Sequence, residues 1–439
     1  MCYYREIPKL MKKYGLLAAL FITIGDLKGT ETIGGLVGGI DDLGHFYAAT
    51  VTNLGSGIGN QIVGLPTKGQ VLSVAINTLG YGLIGGGGLH VAYAGSIIPS
   101  SNQATSLLPE LPFSEINSVA INEFGRGFIA GNALNGGQLD GYLAAVSVPS
   151  NTLIPLDFSS IQTSGFNSVS INDLGQGLVG GSVTGFPLTP FAASISPDNQ
   201  ITVISNLPNN IQIFSTAIND SGIGLIGGGN ANSSDSPTYA AIITPSSPIA
   251  SPFVGMPIGD VVNTVAINAS GKGLIGVSGS NTPYIAITSP SSNLVTPIQL
   301  PATEILSVAL NNSGQGLIGG QNSSVPFAAT LSSSNVVTIL NLSADVGQID
   351  SVAINDLGQG LIGGDMENQA YVAIVSSNLV TPIPLNLSAS SEIFSVSVQN
   401  FLPLLSHIPT NGLSGNNLHF ANYINRASAS KTCRDKYLV

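Results

Sequence analysis

One stretch of twelve residues is rewritten along this chain, and the spacing of its copies limits the fold more than any other feature. In its cleanest form it runs Ala353-Ile354-Asn355-Asp356-Leu357-Gly358-Gln359-Gly360-Leu361-Ile362-Gly363-Gly364. Its asparagine recurs as Asn77, Asn122, Asn172, Asn219, Asn268, Asn311 and Asn355, at intervals of 43 to 50 residues. Self-similarity at that period belongs to solenoids, propellers or arrays.

The stretch has the chemistry of a hairpin. Ser351-Val352-Ala353-Ile354-Asn355 alternates and is rich in β-branched residues, which predicts a strand. The asparagine opens a turn, because its side chain can bond nearby backbone amides. Gly358 and its counterparts Gly80, Gly125, Gly175, Gly222, Gly271 and Gly314 stand where a left-handed residue is needed, a conformation that glycine takes at no steric cost. Leu361-Ile362-Gly363-Gly364 is the return strand, and its glycines predict close approach of another backbone. A third strand opens on Tyr371, with counterparts at Tyr47, Tyr93, Tyr142, Phe191, Tyr239, Tyr284 and Phe327. A fourth, Leu379 to Leu385, contains prolines, which places it at a sheet edge.

Four short antiparallel strands per repeat match the blade of an all-β propeller. A parallel β-helix needs shorter coils, and a helical solenoid needs a 3.6-residue period that is absent. The two ends are out of phase. The Gly-Leu-Ile-Gly-Gly type of strand begins at Gly35-Leu36-Val37-Gly38-Gly39 with no opening strand before it, and a spare opening strand, Ser395-Val396-Ser397-Val398-Gln399, follows the last unit. A ring closed by its C-terminal strand has this offset, and it hides sheet edges that would otherwise aggregate. Eight blades are expected, or seven if the degenerate first unit forms none.

The repeats occupy residues 31–400. Residues 1–30 resemble a signal peptide: Lys12-Lys13 precede the apolar run Leu16 to Ile24, Met11 is a credible start, and Thr23-Ile24-Gly25 is the best cleavage site. The alternative is a buried N-terminal strand. Residues 401–439 form a linker and tail that carries four of the 12 basic residues, Arg426, Lys431, Arg434 and Lys436. It resembles a truncated junction, the alternative being an ordinary basic tail.

Composition excludes several functions. Only Arg126 and Lys272 are basic between positions 69 and 425, against 17 acidic residues. Nucleic-acid binding needs clusters of Lys and Arg, so it is not expected. No apolar run reaches the ~18 residues of a membrane-spanning helix. Cys2 and Cys433 lie outside the repeats, which leaves neither a disulfide framework nor a cysteine metal site.

Catalytic chemistry is equally hard to find. Glu123, Asp173, Asp220 and Asp356 share the slot after the turn asparagine, but other repeats place Thr78, Ala269 and Asn312 there. A fixed turn role is expected rather than paired-carboxylate hydrolysis. His45, His90, His407 and His419 sit in unrelated contexts, without metal-ligand spacing. No Gly-x-Ser-x-Gly elbow marks a nucleophile. Asp365, Glu367 and Asn368 make the most acidic turn, which is expected to be a solvated hairpin rather than a calcium loop. The aromatic residues of the third strands are expected to pack between blades. The insertions Asn132 to Gly141 and Gly229 to Pro237 are the loops best placed to meet a ligand, since loops on rigid scaffolds carry function. No catalytic, cofactor-binding or metal-binding residue is assigned, and no cofactor is expected.

The Asn-x-x-Gly-x-Gly-Leu-Ile-Gly-Gly hairpin followed by Tyr-Ala-Ala resembles HAF-type extracellular repeats. It resembles still more closely the β-propeller passenger regions of autotransporters in chlamydia-like bacteria. Ile408 to Leu418 and Phe420 to Asn425 resemble the junction that leads into an autotransporter barrel, although no barrel strands follow. The resemblance implies a secreted or surface-displayed passenger, associated with the outer membrane and lacking its C-terminal barrel. Such a module acts by binding or adhesion to a host protein or glycan, as a monomer and without catalysis. A glycan-active propeller enzyme and a structural coat protein are the alternatives.

Overall fold

The computed structural model describes residues 33–400, except 53–57, 89–90, 100, 109–110, 113, 136–137, 159–160, 162, 184–188, 231–236, 257–259, 280–282 and 386. The signal-like segment and the tail lie outside the described residues. Every regular element described is a β-strand.

Each repeat folds as one antiparallel sheet whose strands follow chain order. The seventh blade shows the plan: Glu304–Leu310, Gly316–Asn322, Val325–Leu331 and Val337–Ile339, numbered from the ring centre outwards. Among the described residues eight such blades are present. The second and third are joined through a single pair, Gly87 with Glu115, and the outer position of the second is split into two short strands, Thr105–Ser106 and Leu111–Pro112. The degenerate first unit does form a blade. Its inner strand is Glu392–Val398, from the C-terminal end, which pairs with Ile33–Ile40 in a register that sets Ser395 opposite Gly38. The offset read in the sequence is therefore the ring closure, and the blade number is eight.

The hairpin chemistry explains the local geometry. All seven turn glycines adopt positive φ, between 75° and 82°. Each inner strand carries a bulge one residue before its central Ser or Thr, as between Ile349 and Ser351. The tandem glycines of the second strand serve two different neighbours. A Cβ on Gly364 would sit 2.1 Å from the Gln348 carbonyl oxygen of its own blade, beside the bulge. A Cβ on Gly227 would sit 2.3 Å from Val262 of the next blade. Outer strands carry the prolines Pro155, Pro252, Pro297 and Pro382, as expected of edges.

The apolar core is divided into eight clusters, one at each blade–blade contact. Tyr93 packs edge-on against Phe46 between the first two blades, at 5.6 Å between ring centres. Val37, Tyr47, Ile393 and Val396 meet Leu361, Val372 and Ile374 where the last blade joins the first. Tyr47, Tyr93, Phe191, Tyr239, Tyr284 and Phe327 are buried, and Tyr142 and Tyr371 are partly buried against their clusters, so the aromatic residues opening the third strands pack as expected.

Candidate functional site

Inner strands line the ring centre and present a sheet edge with no strand beyond it, so their backbone groups need other partners. Two closed rings of side-chain bonds supply them. The repeat asparagines form the first. Asn77 uses Oδ1 to accept the Leu79 and Tyr81 amides of its own turn, at 3.1 and 3.0 Å. Its Nδ2 donates to the Asn122 carbonyl of the next blade at 2.9 Å. The same link runs from Asn122 to Asn172, Asn219, Asn268, Asn311, Asn355 and then Gln399. Gln399 holds the eighth position, and its longer amide donates to the Thr78 carbonyl and closes the circle. The asparagine thus does more than open a turn: it ties each blade to the next.

The second ring explains the serine of the Ser-Val-Ala-Ile-Asn strand. The Val119 amide donates to Ser73 Oγ at 3.0 Å, across the contact between the second and third blades. Equivalent bonds cross every other contact, with Thr264 standing in for Ser in the sixth blade.

The acidic slot after the asparagine also acts between blades, and this corrects the expectation of a role within its own turn. Glu123 Oε2 accepts the Thr78 amide at 3.0 Å, Asp173 Oδ1 accepts the Glu123 amide at 3.0 Å, and Asp220 Oδ1 accepts the Asp173 amide at 2.9 Å. Asn312 and Asn400 do the same for Ala269 and Asp356, at 2.9 and 2.8 Å. Burial raises the pKa of Glu123 and Asp173, and like charge from the acids of the following blades adds to it.

The next residue of each turn points outwards. Leu79, Phe124, Leu174 and Leu357 are 52%, 74%, 61% and 61% exposed, whereas the fifth to seventh blades carry Ser221, Ser270 and Ser313 there. The asparagine ladder holds the second, third and fourth turns side by side, so Leu79, Phe124 and Leu174 form an arc on one face of the ring. The two basic residues of this face are engaged elsewhere. Arg126 donates to the Pro197 carbonyl and to Asn199 Oδ1, and Lys272 to the Gly314 carbonyl and Asn335 Oδ1.

A different cluster forms at the opposite end of the inner strands. Asp350, Asp365 and Glu392 bring carboxylate oxygens within 4.8 Å of one another, from the eighth blade and the closing strand. Asp365 was expected in a solvated hairpin. It is instead partly buried, because the two-residue turn at Glu367 and Asn368 (φ 52° and 61°) leaves Asp365 on the strand, paired with Gln348. Asp350 occupies the bulge position, where Asn117, Asn167 and Asn263 donate amide bonds to the next blade's backbone at 2.9 to 3.0 Å. A carboxylate cannot donate. Gln348 Nε2 donates to Asp350 Oδ1 at 2.7 Å, while Oδ2 is buried without a partner. Burial, then the charges of Glu392 and Asp365, pushes the Asp350 pKa up to about 7. Such a cluster can store a proton or offer hard oxygen ligands to a divalent cation.

The loops singled out in the sequence behave differently. The Asn132 to Gly141 insertion extends a hairpin, Arg126–Asn135 with Gln138–Ser147, and Asn132 lines a cavity of about 830 Å³ with Lys68, Gln70, Ser114 and Glu115. Most of the Gly229 to Pro237 insertion lies outside the described residues. His45 serves a turn, bonding Asp41 at 3.1 Å, and His90, His407 and His419 lie outside the described residues.

No family model matches the chain, and no curated protein matches it. Among solved structures it is similar to the Dos1 propeller, with a TM-score of 0.53 at 12% identity, over 74% of this chain and 86% of that one. YCF48 bound to D1 peptide aligns with a TM-score of 0.47 at 10% identity, over 79% and 96% of the two chains. A streptogramin B lyase aligns with a TM-score of 0.48 at 8% identity, over 64% and 86%. At these identities the likeness concerns fold alone, and the Dos1 superposition supports a β-propeller.

Proposed function

We propose that this chain is a binding module that works without bond chemistry, displayed outside the cell that makes it. One observation carries this: an arc of exposed Leu and Phe side chains on turns fixed by a closed hydrogen-bonded ring. Apolar side chains adjacent on one face mark interaction sites more often than singly scattered ones do. A coat protein needs no such asymmetry, and three of the seven turns carry serine instead. Secretion and surface display rest on the N-terminal sequence pattern and on the resemblance to extracellular passenger repeats; a host protein or glycan is the corresponding partner. The test is a protein and glycan array probed with the full chain and with the double variant Phe124→Ser/Leu174→Ser. Binding that the variant loses supports the proposal, and binding that ignores it refutes the face.

The Asp350–Asp365–Glu392 cluster favours a second reading. A buried carboxyl group whose pKa is raised to about 7, beside two further carboxyl groups, resembles the pairing used by glycosidases. Hydrolysis of aryl glycosides that is lost in both Asp350→Asn and Glu392→Gln would replace the first reading with this one.

A further inference from the structure

We infer that the partner of the turn face is a polypeptide segment carrying Lys or Arg next to side chains of Leu or Phe size; this rests on the binding reading above and specifies its ligand. The latch after each asparagine needs only an oxygen acceptor. Asn312 and Asn400 provide one at 2.9 and 2.8 Å without charge. The carboxylates of Glu123, Asp173 and Asp220 are therefore surplus to the fold. They stand in three consecutive turns and crowd one another electrostatically. None of the three forms an ion pair with Lys or Arg among the described residues.

Ser221, Ser270 and Ser313 show that the turn tolerates a small polar tip, so Phe124 and Leu174, 74% and 61% exposed, are also surplus to the fold. Both excesses coincide in the third and fourth blades, as Glu123-Phe124 and Asp173-Leu174. Each latch uses one carboxylate oxygen, Glu123 Oε2 and Asp173 Oδ1, which leaves Glu123 Oε1 and Asp173 Oδ2 outside the latch. A cationic side chain meeting them would relieve the repulsion, while its apolar neighbour covers the arc. A purely acidic or purely polar segment fits neither feature.

The experiment measures binding of the full chain to three labelled peptides by fluorescence anisotropy: Leu alternating with Lys, Leu with Glu, and Ser with Lys. The proteins are the wild type, Phe124→Ser/Leu174→Ser and Glu123→Gln/Asp173→Asn. The second pair keeps both latch acceptors, and equal thermal midpoints confirm that each variant is folded. The expected result is preference for the Leu/Lys peptide, weakened roughly tenfold or more by either double variant, with a salt dependence that the amide variant loses. Equal binding of the Leu/Glu peptide, or no effect of the amide variant, overturns the inference and leaves the binding reading standing if the apolar variant still loses affinity. Binding that neither variant alters overturns both.

Discussion

Replacing Asp350 with asparagine should stabilise the ring more at pH 8 than at pH 4. In the wild type the folded carboxyl group titrates at about 7, against 3.8 for a free aspartate side chain. Below pH 3.8 both folded and unfolded chains hold the proton, and the site costs nothing. Between 3.8 and about 7 the folded chain keeps a proton that the unfolded chain has released, so stability falls as pH rises. Above 7 the loss is complete, at about 4 kcal/mol as an upper bound, from 1.36 kcal/mol per tenfold in proton affinity. Asparagine carries no charge to bury. It can also donate to the next blade, as Asn117, Asn167 and Asn263 do at 2.9 to 3.0 Å. An unfolding entropy of about 2.1 cal/mol/K per residue gives a ring of this size about 0.8 kcal/mol/K, so the full effect would move Tm by about 5 °C. The assay is a series of calorimetric scans of both proteins from pH 4 to pH 8. A Tm difference that does not grow with pH, or a variant less stable at pH 8, would refute the burial of an unpaired acid at the ring closure.

Further expectations follow from the rings. Asn172→Ala removes the Oδ1 acceptor of the Gln176 amide, a part-buried link, and the Nδ2 donor to the Asn219 carbonyl, a buried one; it should cost about 2–4 kcal/mol in urea unfolding. Gln399→Asn shortens the link from the closing strand to Thr78, and should increase cleavage by added protease more than a conservative change at an exposed glutamine such as Gln315 does. Gly227→Val places branched carbon where a Cβ alone would meet Val262 at 2.3 Å, and should lower stability by at least about 1–3 kcal/mol in the same unfolding assay. Asp173→Asn, which keeps its acceptor, should leave the midpoint at pH 7 unchanged or slightly raised.

Much of the architecture was legible because it is local. Positive φ at Gly175 or Gly358, the turn at Asn355 and the edge prolines each depend on a few neighbouring residues. The offset between Gly35 and Ser395 likewise revealed the closure, because it is a counting relation. What escaped was the second bond of each asparagine and the role of each serine. Their partners are backbone groups 43 to 51 residues away, or 321 at the ring closure, and a backbone carbonyl or amide leaves no mark in a sequence. The Asp350–Asp365–Glu392 cluster escaped for a related reason. Asp365 belongs locally to an acidic turn, and only pairing and closure turn it towards its neighbours. One signal was present: Asp350 stands where three other repeats have Asn117, Asn167 and Asn263, the rest carrying Leu or Phe. The acids at Glu123 and Asp173 were visible as a set, but a slot that also tolerates Asn312 read as indifferent to charge.

The strand that completes the first blade, Glu392–Val398, is the last part of the described chain to be made. A nascent chain emerging from the ribosome, or threading through an export pore amino end first, has seven whole blades before the first has its inner strand. Until then the Ile33–Ile40 strand keeps an open edge, and neither hydrogen-bonded circle can close. Release of a finished ring is thus timed by its final residues, and the unclasped form is the one most exposed to proteases and to edge-to-edge pairing.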